Sequence, residues 1–240
     1  MGARKRLAFA ACLIAATWAL PRCAAGQSVG PSDPSDAEIA RRLAFIEDSL
    51  DAHQLHAQIW FWSWMTVNAG SAVGLSVGAA LTDHGANRVN LIGNAALAAL
   101  GVGDMLLFRP VNARFGAEPI RVLPDATRAE RLRKLAAGEN LMQRNAARAE
   151  QRYDWTVHAG NFAANALVGG LTWAAGDAQS GIVTIVLQTV FGELYIWTDP
   201  SGPAKDWQEY QRLRAGESLE ASRGWSLAAF PGGVALKYRF

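Results

Sequence analysis

The chain has 240 residues, half of them hydrophobic, with a net charge of +2, 23 glycines and two cysteines. That excludes a disordered chain, a disulfide scaffold and a strongly basic nucleic-acid binder, so no nucleic-acid partner is expected. The average hides an uneven spread: Ala52 to Thr82 and Trp155 to Gly176 carry no Asp, Glu, Lys or Arg. Soluble helical proteins rarely leave such stretches uncharged.

Residues 1–26 read as a secretory signal peptide. Arg4, Lys5 and Arg6 form the basic start, Leu7 to Leu20 the apolar core, and Ala24-Ala25-Gly26 a small-residue cleavage site. Cleavage removes both cysteines, Cys12 and Cys23, and with them any thiolate or disulfide chemistry. It also leaves 19 basic against 21 acidic residues, a net charge of −2.

The remainder reads as two copies of one unit, repeat 1 at 27–110 and repeat 2 at 111–200, followed by a tail at 201–240. Thr66-Val67-Asn68-Ala69-Gly70 parallels Thr156-Val157-His158-Ala159-Gly160, and Gly103-Asp104 parallels Gly192-Glu193. Ser35-Asp36-Ala37-Glu38 and Thr127-Arg128-Ala129-Glu130 each have capping-box spacing. In each unit a long amphipathic helix is expected to run as one rod into a first apolar helix, which a short turn joins to a second. The rod stripes are Ile39, Leu43, Ile46 and Leu50, and then Leu132, Leu135, Met142, Ala146, Ala149 and Tyr153, with Glu139 interrupting.

Four candidate spans result: Gln58–Leu81, Val89–Phe108, Trp155–Ala175 and Gly181–Thr198. Each is near the roughly 20 residues that cross a hydrocarbon core. The fold class expected is an all-α membrane protein, a duplicated four-span bundle of helical hairpins with long amphipathic helices. Gly70, Gly74 and Gly78 form a small-residue ridge suited to helix packing. Trp60, Trp62, Trp64, Phe108, Trp155, Tyr195 and Trp197 fall toward one membrane face as an aromatic belt.

The tail reads as a short helix, Ala204 to Ala215, and a small β-hairpin about Pro231-Gly232-Gly233. Two signals about orientation disagree. The signal peptide places the linker and tail outside the cytoplasm. Lys and Arg number ten in Arg109–Asp154 and six after Thr198, against one in the short turns, which argues the reverse. The signal peptide is given precedence, because acids are almost as numerous there.

Polar groups inside apolar spans are costly and need a reason. Asn68 and Asp104 in the first hairpin, with His158 and Glu193 in the second, form a candidate intramembrane polar layer. It would serve either interhelical hydrogen bonding or an ion, proton or weak metal site. His53 and His56, three apart near Asp51, are a weak candidate metal pair, and no other metal or cofactor site is indicated. No P-loop, GxSxG elbow or HExxH helix occurs, so no enzymatic role is expected.

The run Gly192-Glu193-Leu194-Tyr195-Ile196-Trp197-Thr198-Asp199-Pro200, the stretch Asp206 to Tyr210 and Pro231-Gly232-Gly233 resemble an uncharacterised family of bacterial helical membrane proteins with signal peptides. The resemblance implies no activity, substrate or catalytic residue. The leading expectation is an integral protein of the bacterial inner membrane, with its amphipathic helices and tail extracytoplasmic. Its role would be structural or interaction-based, with the lipid bilayer, a second copy or an envelope protein as partner. The alternatives are a small transporter or channel subunit using the polar layer, and a secreted or periplasmic helical protein.

Overall fold

The computed structural model describes residues 33–107, 112–216 and 224–239. The expected signal peptide, and Phe108 of the expected belt, lie outside the described residues. From Ser35 onward the chain forms one compact unit that is mostly helical, with a single strand pair among the described residues.

Helix α1 runs unbroken from Asp36 to Leu81, joining the amphipathic stripe to the first apolar stretch as one rod. Three residues, Thr82 to His84, turn the chain into α2, Gly85–Leu107. A 3-10 turn at Asn112–Phe115 and the short α3, Glu118–Arg121, lead to α4, Arg128–Arg152. A second hairpin follows, α5 at Trp155–Ala174 and α6 at Ala178–Trp197. Helix α7, Gly202–Arg214, precedes an antiparallel pair, β1 at Gly224–Phe230 and β2 at Gly233–Arg239. Its two-residue turn uses Gly232 at φ 103°, a conformation that disfavours residues with a Cβ.

Repeat 2 does not form the single rod expected of it. Tyr153 ends α4, and the Asp154 carboxylate starts a new helix by accepting from the Thr156 N–H at 2.8 Å and the Thr156 hydroxyl at 2.6 Å. A side chain that satisfies orphan N–H groups is a helix start, which is why the chain breaks here although no Pro or Gly is present. The two expected capping boxes also differ. Thr127 and Glu130 make both halves. Ser35 accepts from the Glu38 N–H at 3.2 Å, whereas the Glu38 carboxylate pairs with Arg41 at 2.6 Å.

The molecule has a base and a region of two apolar hairpins, called the span region after the spans expected from the sequence. In the base, the first half of α1 packs with α3, α4 and α7 around Ile39, Ile46, Leu50, Leu135, Met142 and Tyr210, all buried. Gly138 lets α4 approach α1, since a Cβ there would sit 3.0 Å from Ile46 Cγ2. Glu139, which interrupts the α4 stripe, is the partner of Arg42 and of the Tyr210 hydroxyl, and Arg42 Nε donates to that hydroxyl at 2.8 Å. The interruption is a part-buried ion pair that shares the Tyr210 hydroxyl.

In the span region the two hairpins meet through α2 and α5. The helices approach at glycines outside the predicted ridge. A Cβ on Gly169 would meet the Gly181 carbonyl at 2.5 Å, and one on Gly93 would meet Val168 at the same distance. Among the described residues, two helical stretches are long and apolar enough to cross a membrane, α2 and the one that begins at Ala178 with α6. The second half of α1 and the whole of α5 carry no Asp, Glu, Lys or Arg, whereas α2 keeps Arg88 and Asp104 and α6 keeps Glu193; Asn and Trp residues, with His158 in α5, lower the mean hydropathy of the first two.

Candidate functional site

The four residues of the expected polar layer all lie toward the base end of the spans, and the structure divides them into three settings. Asn68 of α1 donates to the Trp64 carbonyl one turn back at 2.9 Å and packs against Gly101 of α2. In the second hairpin His158 Nδ1 is 2.6 Å from Glu193 Oε2, and Asn161 Nδ2 donates to Glu193 Oε1 at 2.9 Å and to the Thr189 carbonyl at 3.0 Å. Gly192 opens the space that the Asn161 amide fills.

Asp104 goes to a different partner. Its Oδ2 accepts from the Tyr195 hydroxyl at 3.0 Å and from Arg152 at 3.3 Å. The Arg152 guanidinium lies over the Tyr195 ring, 4.3 Å from its centroid, and donates through Nε to Asp199 at 3.1 Å. Arg148 reaches the same Asp199 oxygen at 3.1 Å. Two carboxylates and two guanidiniums thus form a charge-balanced cluster where α2, α4 and α6 converge. Burial pushes the Asp199 carboxyl above its ordinary range, against the pull of Arg148 and Arg152. Burial would lower the Arg152 value, and Tyr195, Asp199 and Asp104 reverse that.

Arg148, Arg152, Tyr195 and Asp199 were not among the sequence candidates. The available signal was the i,i+4 spacing of Arg148 and Arg152 at the edge of an uncharged stretch, which puts two cations on one helix face.

The aromatic residues divide as well. Trp60 and Trp64 are fully buried; both indoles donate to the Thr198 hydroxyl, at 3.2 and 3.0 Å. Their rings contact Tyr195 at 5.0 and 5.1 Å, and Phe191 meets Trp64 at 5.1 Å. This cluster ties α1 to α6. Trp62, Trp155 and Trp197 face outward at the same level, where an interfacial belt would lie.

Of the predicted glycine ridge, only Gly78 faces a neighbour, Leu91 at 3.6 Å from a Cβ built there. Gly70 and Gly74 face open space. His53 Nε2 is 2.7 Å from Asp206 Oδ2 on α7, and its ring occupies the space over Gly202. Its imidazole therefore joins α1 to α7. No group of three or more His, Cys, Asp or Glu side chains suited to a metal occurs among the described residues.

A repeated amide motif spans the hairpins. Asn90 and Asn94 on α2, and Asn161 and Asn165 on α5, share the sequence pattern N-x-x-x-N-A. In each pair the second amide donates to the first residue's carbonyl and side-chain oxygen, at 3.0 and 3.1 Å on α2 and 2.9 Å for both on α5. Asn90 Nδ2 then reaches two helices at once, the hydroxyls of Thr172 on α5 and Thr184 on α6. Interhelical amide bonds of this kind each contribute about 0.6 kcal/mol in lipid. No family model, curated protein or solved structure matches the chain.

Proposed function

We propose that this is an integral membrane protein in which the second half of α1 crosses the bilayer together with α2, α5 and α6, while the base remains outside. Its role is structural or interaction-based. The observation that carries this reading is the outward placement of large apolar side chains on all four helices. Val73, Val77 and Leu81 on α1, Ile92 and Leu100 on α2, Phe162 and Leu167 on α5, and Val186 and Val190 on α6 are at least half exposed. Soluble monomers rarely expose apolar patches beyond a few hundred Å².

The ionisable residues favour this role over transport. His158, Glu193 and Asp104 lie at one level near the base, and Asp104 is held by Arg152. No ionisable side chain continues from them through the middle of the spans, so they do not make a relay across the membrane. The leader-like first 26 residues and the family resemblance support placement in a bacterial envelope.

Membrane fractionation and single-cysteine labelling test the reading together. The chain is expected to stay in the membrane pellet after carbonate extraction. In intact cells Ala137→Cys should react with an impermeant maleimide and Gly85→Cys should not. Recovery in the soluble fraction would overturn the membrane reading, and labelling at Gly85 alone would reverse the orientation.

A further inference from the structure

Between the two hairpins, the 3-10 turn Asn112–Phe115 lies against α1 where the base meets the span region. Ala113 is buried in the cluster of Ala57, Trp60, Phe61 and Trp64. Gln58, the first residue of the first expected span, donates through Nε2 to the Arg114 carbonyl at 3.0 Å. The Gly116 N–H closes the turn on the Ala113 carbonyl at 3.0 Å, with Gly116 at φ 57°. These contacts fix Arg114 at the level where α1 leaves the base.

The Arg114 side chain lies over two rings. Its guanidinium carbon is 4.0 Å from the Phe61 ring centroid and 4.7 Å from that of Phe115. Phe61 in turn meets the Trp62 ring edge-on at 5.1 Å. Trp62 is 64% exposed and Phe115 50%, so the cation stands beside outward-facing rings at the level of Trp155 and Trp197.

Among the described residues, no carboxylate pairs with Arg114 and no acceptor takes its N–H groups. Asp51, the acid that packs against Gly116, is already occupied by the Ala117 N–H and by Arg121. The two arginines differ accordingly. Asp51 and then Glu47 raise the Arg121 value, whereas burial alone acts on Arg114 and lowers it. A ring face attracts a cation but supplies no acceptor for a fork of five N–H donors, so that fork is left for an outside anion.

We infer that Arg114 holds the phosphate of an anionic bilayer lipid. The place selects the anion. Where α1 enters the hydrocarbon every phospholipid presents a phosphate, whose oxygens can take the guanidinium fork in two parallel bonds. A lipid without a headgroup cation fits best, because choline neutralises its own phosphate. The exposed Phe115 and Trp62 rings suit the boundary between headgroup and acyl chain, and a soluble phosphate offers them nothing. The inference rests on the membrane reading, which supplies the level at which Arg114 stands.

The test offers the full chain, in neutral detergent, phosphatidylglycerol and phosphatidylcholine of the same acyl chains, and counts bound lipid by native mass spectrometry. Phosphatidylglycerol should bind about tenfold more tightly, the worth of one charge-assisted contact, and Arg114→Gln should abolish the difference. Arg144→Gln, which removes an exposed arginine of α4 outside the turn, should leave it intact. Arg114→Lys keeps the charge and loses the fork, so its preference should fall between the two. Circular dichroism checks the helicity of each variant, and Arg114→Lys decides if Arg114→Gln does not fold.

Equal binding of the two lipids would overturn the site, as would an undiminished preference in the folded Arg114 variants. An equal loss in Arg144→Gln would trace the preference to diffuse surface charge and overturn it as well. Displacement of the lipid by excess inorganic phosphate would leave a site for the free anion and overturn the lipid. The membrane reading fails separately. A chain that stays in the carbonate-resistant pellet without discriminating the lipids breaks this site alone, whereas recovery in the soluble fraction breaks the reading beneath it.

Discussion

The base and the span region are built from the same kind of helix in opposite senses. In the base, apolar side chains such as Ile39, Ile46 and Met142 point inward, and the exposed faces carry ion pairs such as Arg128 with Asp36. In the span region Val73, Leu167 and Val186 point outward, and Asn94, Asn165 and Thr172 are buried between helices. On the membrane reading proposed above, the inversion follows from the solvent. Water expels apolar groups into a core; lipid tails do not, so small-residue contacts and hydrogen bonds are left to hold the helices together.

The largest expected effect probes the base alone. Ile46→Ala removes a fully buried side chain seated against Gly138, and should cost about 2–5 kcal/mol in chemical denaturation followed by circular dichroism. The α2 and α5–α6 helicity should survive it. If the span helices melt with the base, the two regions are one cooperative unit.

The next change strikes at the inversion itself. Val186 is 55% exposed near the middle of α6. In lipid, Val186→Asp should disfavour insertion by about 3 kcal/mol, visible as a loss from the carbonate-resistant pellet. On a water-facing helix the same change stays within about 0.5 kcal/mol. Unchanged membrane recovery would therefore end the comparison.

Asn90→Ala tests the inner face of the spans. It removes the donor shared by Thr172 and Thr184, and should lower thermal stability in detergent by about 1 kcal/mol. The exposed Asn87→Ala, which loses only a bond to Thr82, is the control and should change little.

The smallest effect is proton-linked. Burial would raise the Asp51 carboxyl, but the Ala117 N–H at 2.8 Å and the Arg121 guanidinium outweigh it and hold it below its ordinary 3.8. A lowered carboxylate contributes stability above the unfolded value, lost as pH falls through the folded one. Thermal melts should therefore fall off below about pH 3.8, and Asp51→Asn should flatten that limb. An identical acid limb in the variant would remove Asp51 from the account.

Much of the architecture was readable along the chain because it depends on local periodicity. Charge-free stretches, the Ile39–Leu50 stripe and the Thr127–Glu130 box each reflect neighbours within one or two turns of helix. The break at Tyr153-Asp154 was also local, yet it was missed because Asp154 acts as a cap and carries no breaker signature. The four polar residues were expected as one layer, and the structure gives them separate partners. Asp104 and Glu193 hold matching sequence places, and only packing sends one to Arg152 and the other to His158.

The sequence by itself determined a helical chain with two apolar hairpins and a terminal strand pair, since hydrophobic period and turn chemistry act over a few residues. Tertiary structure alone decided which glycines allow close approach, that Trp60 and Trp64 are buried, and that Arg114 meets two rings and, among the described residues, no carboxylate. Those outcomes depend on distances between residues far apart in the chain, such as Asn90 and Thr184 or Trp60 and Thr198, the latter 138 positions apart. No local pattern carries that information, because the same small or amide side chain suits a helix crossing, a hydrogen-bond relay or a cavity wall. The opening charge count ends with a sharper meaning. The uncharged stretches mark where the chain turns its apolar side chains outward and keeps its amides within.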